Sequence, residues 1–284
     1  MRLPIQTRCT LSSARKALQG SVKAAAAGAD LLRRPAPGIV VLIYHRVGGG
    51  SGTEVDLSPS VFDRQMAALA ANGTVVTLAA ALEELAAPPP PEPTTKIVIT
   101  FDDGTDDFVD VALPILVRHG LPATLYAATA FIEEGTSFPD EGRPVSWSGL
   151  RDARATGLVD VGSHTHHHRL LDRLPAAEVA DELDRSIDLL TERLGQAPLD
   201  FAYPKALLGS PEAERAVRER FRSASVAGTR PNRFGATDPH RLARSPIQVG
   251  DGMRWFGRKV AGGMGLEDSL RRTANRRRYA TATT

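Results

Sequence analysis

Two carboxylates stand side by side at Asp102-Asp103, and two imidazoles stand four residues apart at His164 and His168. Each group directly follows a short apolar run, Ile97 to Phe101 in the first case and Val159 to Gly162 in the second. Adjacent carboxylates at the end of a buried strand repel each other and are costly to desolvate, so they imply a compensating cation or a division of labour. Imidazoles at that spacing fall on one face if the loop enters a helix, and can then meet one metal ion. Two His and one carboxylate leave a coordination position open, the arrangement of a catalytic rather than a structural metal centre.

Each motif also has a plainer reading. The Asp pair, with Asp106 and Asp107 close behind, could cap a helix and fill its acidic first turn. The run His164 to His168 could be a surface histidine cluster. Taken together the plain readings weaken, because both groups emerge at the same predicted end of a sheet. Two further polar groups share that position: Tyr44-His45 after Ile39 to Ile43, and Tyr203-Pro204-Lys205 after Leu199 to Ala202.

The elements behind these motifs are legible from apolar spacing. Strands are expected at Ile39–Tyr44, Val75–Leu78, Ile97–Phe101, Ala123–Ala128, Val159–Gly162, Leu199–Tyr203, Ser223–Val226 and Leu242–Val249, alternating with helical patterns. This rhythm predicts α/β architecture with parallel strands and crossover helices, in which chemistry gathers at the carboxyl ends of the strands. One helix should start at a Ser60 N-cap and carry Phe62, Met66 and Leu69; another carries Phe108, Val111, Ile115 and Leu116 up to Gly120. The clearest spans Ala176 to Leu194, with Val179, Leu183, Ile187, Leu190 and Leu194 on a buried stripe and Glu178, Asp181, Glu182, Arg185 and Glu192 toward water.

At 284 residues the chain has room for one α/β barrel domain, expected over 39–260. It follows an N-terminal arm, 1–38, partly helical or disordered, and precedes a basic tail, 261–284. A composition of 42% hydrophobic and 24% charged residues argues against disorder and against a membrane bundle. The net charge of +2 gives no case for nucleic acid, since Arg271, Arg272, Arg276, Arg277 and Arg278 account for the excess and read as a solvated, frayed tail. Cys9 has no partner for a disulfide. The first 38 residues hold no apolar core of a secretory signal, and no run approaches a membrane span, so a cytoplasmic protein is expected, with association to the cell envelope left open.

Gly262-Gly263-Met264-Gly265 and Gly48 to Gly52 lack the neighbours that phosphate-binding loops require and read as turns. Trp147 reads as core, while Trp255 is left between packing and stacking on a sugar ring.

With these residues in view, the strings Thr100-Phe101-Asp102-Asp103-Gly104, Gly162-Ser163-His164-Thr165-x-x-His168 and Phe201-Ala202-Tyr203-Pro204 resemble the polysaccharide deacetylase family, also called the NodB-homology domain or carbohydrate esterase family 4. The likeness runs from Tyr44-His45-Arg46-Val47 through Trp147 to about Phe256. It is closest to the branch that joins a Tyr-His first strand to Phe-Ala-Tyr-Pro.

The resemblance implies a deformed (β/α) barrel of seven to eight parallel strands and a divalent metal, zinc foremost, held by Asp103, His164 and His168. It implies Asp102 as the general base toward water, with a backbone N–H in the Tyr203-Pro204-Lys205 loop toward the oxyanion. The activity implied is hydrolysis of N-acetyl groups on amino sugars of a glycan or glycan-lipid precursor. Two departures stand out. The C-terminal Leu-x-His that often supplies the acid is absent from Arg244-Ser245-Pro246-Ile247-Gln248, which leaves His45 as the replacement candidate and His240 behind it; His45 can equally be a hydrogen-bonded structural histidine. Ala202 stands where many members carry an arginine that orients the catalytic aspartate, and Lys205 and Ala206 replace the usual Tyr and Gly. Two alternatives therefore stay open: a glycan-binding homologue with a weakened site, and a metal hydrolase of small non-sugar amides.

Overall fold

The computed structural model describes residues 20–32, 34–139 and 142–280, the side chains of 272 and 274–280 excepted. Seven parallel strands close into a barrel: β1 (Ile39–Tyr44), β4 (Lys96–Phe101), β5 (Ala123–Ala127), β6 (Val159–Ser163), β7 (Asp200–Ala202), β8 (Ser223–Ala227) and β9 (Leu242–Pro246), with β9 pairing back onto β1. Between β1 and β4, the short β2 (Arg46–Val47) and β3 (Asp56–Leu57) pair separately. Strands covered on both faces read as unbroken apolar runs, and all six residues of β1 are buried.

Alternation along these strands divides the core. Val40, Leu42, Tyr44, Ile97, Ile99 and Phe101 join Phe62 and Met66 in the largest cluster. Ile39, Val41, Val98, Tyr126 and Ala202 form a second cluster with Leu78, Ala81 and Leu85.

The expected eighth strand is absent. Val75 makes one isolated bridge with Ile97 beside β4, and Thr77 then ends the extended run by accepting the Ala80 N–H at 3.1 Å and capping α3 (Leu78–Ala86). Local capping therefore overrides an apolar run too short to propagate as strand. The helix expected from Ser60 is α2 (Pro59–Asn72); it begins earlier because Pro59 at its first position is pre-organised for helical φ. Phe108–Ala112 form a π-helical turn that leads into α4 (Leu113–His119), closed by Gly120 at φ 64°.

α7 spans Ala176–Leu194, as the periodicity predicts, with Val179, Leu183 and Leu190 buried. One assignment is corrected: Glu182 does not face water but is buried against the segment 166–167. Its spacing explains this, since Glu182 and Ser186 lie three and seven positions after Val179, on the edge of the same stripe.

Residues 20–32 form a helix, α1, tied to the barrel through a buried Lys23–Asp251 ion pair of 2.5 Å. Ala26 and Ala27 of α1 pack with Met264 and Trp255, so Trp255 serves packing. The basic tail is not frayed from residue 261: α10 is helical over Gly265–Ala280, and Arg271 pairs with Asp268. Cys9 lies outside the described residues. Among the described residues, no helix is long and apolar enough to cross a membrane.

Candidate metal centre and catalytic residues

Asp102 and Asp103 follow β4, and the His loop follows β6, so both open at the carboxyl end of the barrel. Asp103, His164 and His168 each bring one ligand atom to a common point, all within 4.8 Å of one another. Asp103 Oδ1 lies 3.6 Å from His164 Nε2 and 3.3 Å from His168 Nε2. The sequence expectation that these three converge matches this geometry. The capping reading of the Asp pair does not fit it, because Asp103 adopts a left-handed conformation at φ 75°.

Fixing that geometry requires unusual backbone. Thr165 at φ 64° and His168 at φ 59° also occupy the left-handed region, which costs an L-residue about 1 kcal/mol or more. Strained non-glycine residues clustered at one place mark a functional site when the surroundings over-determine them.

The donor set suits a divalent cation. His164 is 1% exposed and its Nδ1 donates to the Ala202 carbonyl at 2.7 Å, which fixes the tautomer and leaves Nε2 bare toward Asp103. Burial holds the His164 imidazole below its usual range despite Asp102 and Asp103, and holds His168 down to about 3, so both are neutral, as ligands must be. For Asp103 burial opposes ionisation, but His168, His45, His164 and Lys205 together outweigh it and keep the carboxylate charged. Its side chain stays 21% exposed and that of His168 11%, so the centre can be reached from solvent.

Asp102 has a different set of partners. It is 3% exposed, and Arg244 of β9 holds it by two bonds of 2.7 and 2.8 Å. Burial alone would raise the Asp102 carboxyl; Arg244 first, then His164 and His45, bring it below the usual range. Arg244 is fully buried, also donates to Thr100 Oγ1 at 3.0 Å, and lies 5.1 Å over the Tyr126 ring. It thus bonds the aspartate that an arginine at position 202 was expected to hold. A charged residue inside an apolar strand was its only sequence signal.

The remaining candidates separate. His45 follows β1 near enough to both aspartates to favour their charged forms, and its Nδ1 is buried without a hydrogen-bond partner. His240 precedes β9 at the opposite end of the barrel and its Nε2 donates to the Phe221 carbonyl at 2.7 Å, which removes it as an acid. Tyr203 turns its ring into the Phe201 and Phe221 cluster, and its N–H is committed to Ser225 O at 3.2 Å. Pro204 has no N–H, and that of Ala206 goes to Tyr203 O at 2.8 Å. This leaves Lys205, itself at φ 54°, as the loop's candidate backbone donor. Asp106 and Asp107 serve elsewhere: Asp106 pairs with Arg143 at 2.8 Å, and Asp107 accepts the Val47 N–H at 2.6 Å.

The chain is similar to known proteins. Residues 90–219 match the family model described as polysaccharide deacetylase. The chain is 29% identical over 119 residues to a poly-beta-1,6-N-acetyl-D-glucosamine N-deacetylase of Staphylococcus aureus, covering 39% of this chain and 40% of that one. It is 25% identical over 164 residues to the putative polysaccharide deacetylase YxkH of Bacillus subtilis, covering 58% and 55%. The chain therefore spans about half the length of these curated relatives. Among solved structures, IcaB from Ammonifex degensii superposes with a TM-score of 0.67 at 26% identity, covering 78% of this chain and 98% of that one.

Proposed function

We propose that this chain, which matches the polysaccharide deacetylase family model over residues 90–219, is a hydrolase that removes N-acetyl groups from amino sugars of a glycan or glycan-lipid precursor with the help of a divalent metal, zinc foremost. The observation that carries this reading is the division of the aspartate pair: Asp103 Oδ1 meets both imidazoles, at 3.6 and 3.3 Å, while Asp102, 3.9 Å from His164, has both of its oxygens bonded to Arg244. The substrate class extends what the S. aureus relative's name states of that protein.

Asp103, His164 and His168 would hold the cation. A bound divalent ion supplies Lewis acidity, lowering the pKa of water and polarising the acetyl carbonyl. Asp102, kept ionised by Arg244, takes the proton from the attacking water. The Lys205 N–H would stabilise the negative charge that develops on the carbonyl oxygen. The leaving amine needs a proton, and His45, near both aspartates, would deliver it. Partial exposure of Asp103 and His168 suits a polymer that lies across the barrel mouth.

The test pairs two variants in zinc binding and acetate release from N-acetylated glycans. Asp103→Ala should lose both. Asp102→Asn should keep its zinc affinity within a few-fold and lose about 10²- to 10⁴-fold in turnover. Metal-free Asp103→Ala that still releases acetate would overturn the reading.

A further inference from the structure

The two candidate ligands of the His loop are held from behind by a helix. Glu182 of α7 is 1% exposed, and among the described residues its ion-pair partner is a histidine and not a lysine or arginine. Its Oε2 accepts the backbone N–H of His166 at 3.1 Å and of His167 at 2.8 Å, and its Oε1 accepts from His167 Nδ1 at 2.7 Å. All three donors belong to the segment between His164 and His168. One turn on, Ser186 Oγ meets Ser163 Oγ at 2.8 Å, and Ser163 Oγ accepts the Thr165 N–H at 3.3 Å.

A buried carboxylate is costly unless its lone pairs are filled, which takes several donors. Here the donors come from a loop whose Thr165 and His168 hold left-handed backbone, a conformation that persists only when neighbours enforce it. Relaxing Thr165 or His168 into an ordinary conformation would withdraw the amides of residues 166 and 167 from Glu182.

We propose that Glu182 is a positioning residue: it accepts the amides of His166 and His167 and thereby holds the strained loop in the form that turns His164 and His168 toward Asp103. The loop-holding half stands on the hydrogen bonds alone. The metal-affinity half rests on the function proposed above.

The experiment uses the full chain and two readouts. Amide hydrogen exchange at residues 166 and 167 is measured without metal, and zinc affinity by competition with a chromophoric chelator. Glu182→Ala should speed exchange at both amides and weaken zinc binding about 10- to 100-fold, the scale of loss seen when a group bonded directly to a metal ligand is removed, here acting through the loop backbone. Glu182→Gln, whose carbonyl oxygen can accept both amides, should restore protection and most of the affinity. Should the alanine variant fail to fold, Glu182→Asp keeps the charge but withdraws the oxygens by one methylene, and the same two losses are expected. A folded Ala or Asp variant with wild-type exchange at both amides overturns the proposal. If the wild-type chain binds no zinc yet the amides lose protection on substitution, Glu182 holds the loop and the metal reading alone fails.

Discussion

Arg244 on β9 grips both carboxylate oxygens of Asp102 at the end of β4, across the intervening strand β1, and both side chains are buried. Removing one partner of a buried, hydrogen-bonded ion pair strands the other's charge. Arg244→Ala should therefore cost about 3–5 kcal/mol in urea unfolding. Arg244→Lys, which keeps the charge but loses the two-pronged geometry, should cost less and still lower kcat. Equal stability of all three proteins would show that the pair does not hold Asp102.

His45 is tested by the leaving group. Hydrolysis of an acetamide expels an amine that must be protonated, whereas an activated acetyl ester expels a stable anion. His45→Gln should lower kcat on N-acetylated oligosaccharide by about 10²-fold or more while leaving turnover of an aryl acetate nearly unchanged. Equal losses on both substrates would place His45 in orientation and not in proton delivery.

Acid should destabilise the metal-free protein before it reaches the carboxylate range. Burial depresses the folded pKa of His164 and His168, the latter to about 3, below the unfolded value of about 6.5. Between those limits the unfolded chain binds protons that the folded one refuses, so stability is full above about pH 6.5 and falls as pH drops toward about 3. Urea unfolding in chelator at pH 7.5, 6 and 5 should show that fall. His168→Asn should flatten it; an unchanged slope would contradict the assignment.

Gly162 on β6 is required by what lies beside it. A Cβ there would stand 2.6 Å from the Tyr126 ring and 2.7 Å from the Asp200 carbonyl. Gly162→Ala should lower stability by about 1–3 kcal/mol, as overpacking does, and disturb the Tyr126 ring beneath Arg244. Thermal melting and the near-ultraviolet spectrum check this. A variant with the wild-type melting temperature would show that the ring gives way freely.

Much of this was legible in the residues. Short runs rich in apolar and small residues located all seven barrel strands, because strands covered on both faces are mostly apolar. Asp103, His164 and His168 stood out because polar residues after such runs emerge at one end of a parallel barrel. The exception is local: Val75–Leu78 has a strand's composition, but Thr77 begins a helix within it.

The amino-acid sequence by itself determined the barrel, the metal-ligand candidates and the family likeness, since these depend on residue type, periodicity and position along the chain. Only the tertiary structure decided that Arg244 holds Asp102 and that Glu182 holds the His loop. Each of these pairs joins groups remote in sequence: Arg244 stands in a segment of mixed polarity, and Glu182 falls among the charges of an amphipathic helix. Whether a charge faces water or a buried partner depends on which surfaces meet when the chain closes, and no local pattern of residues encodes that meeting.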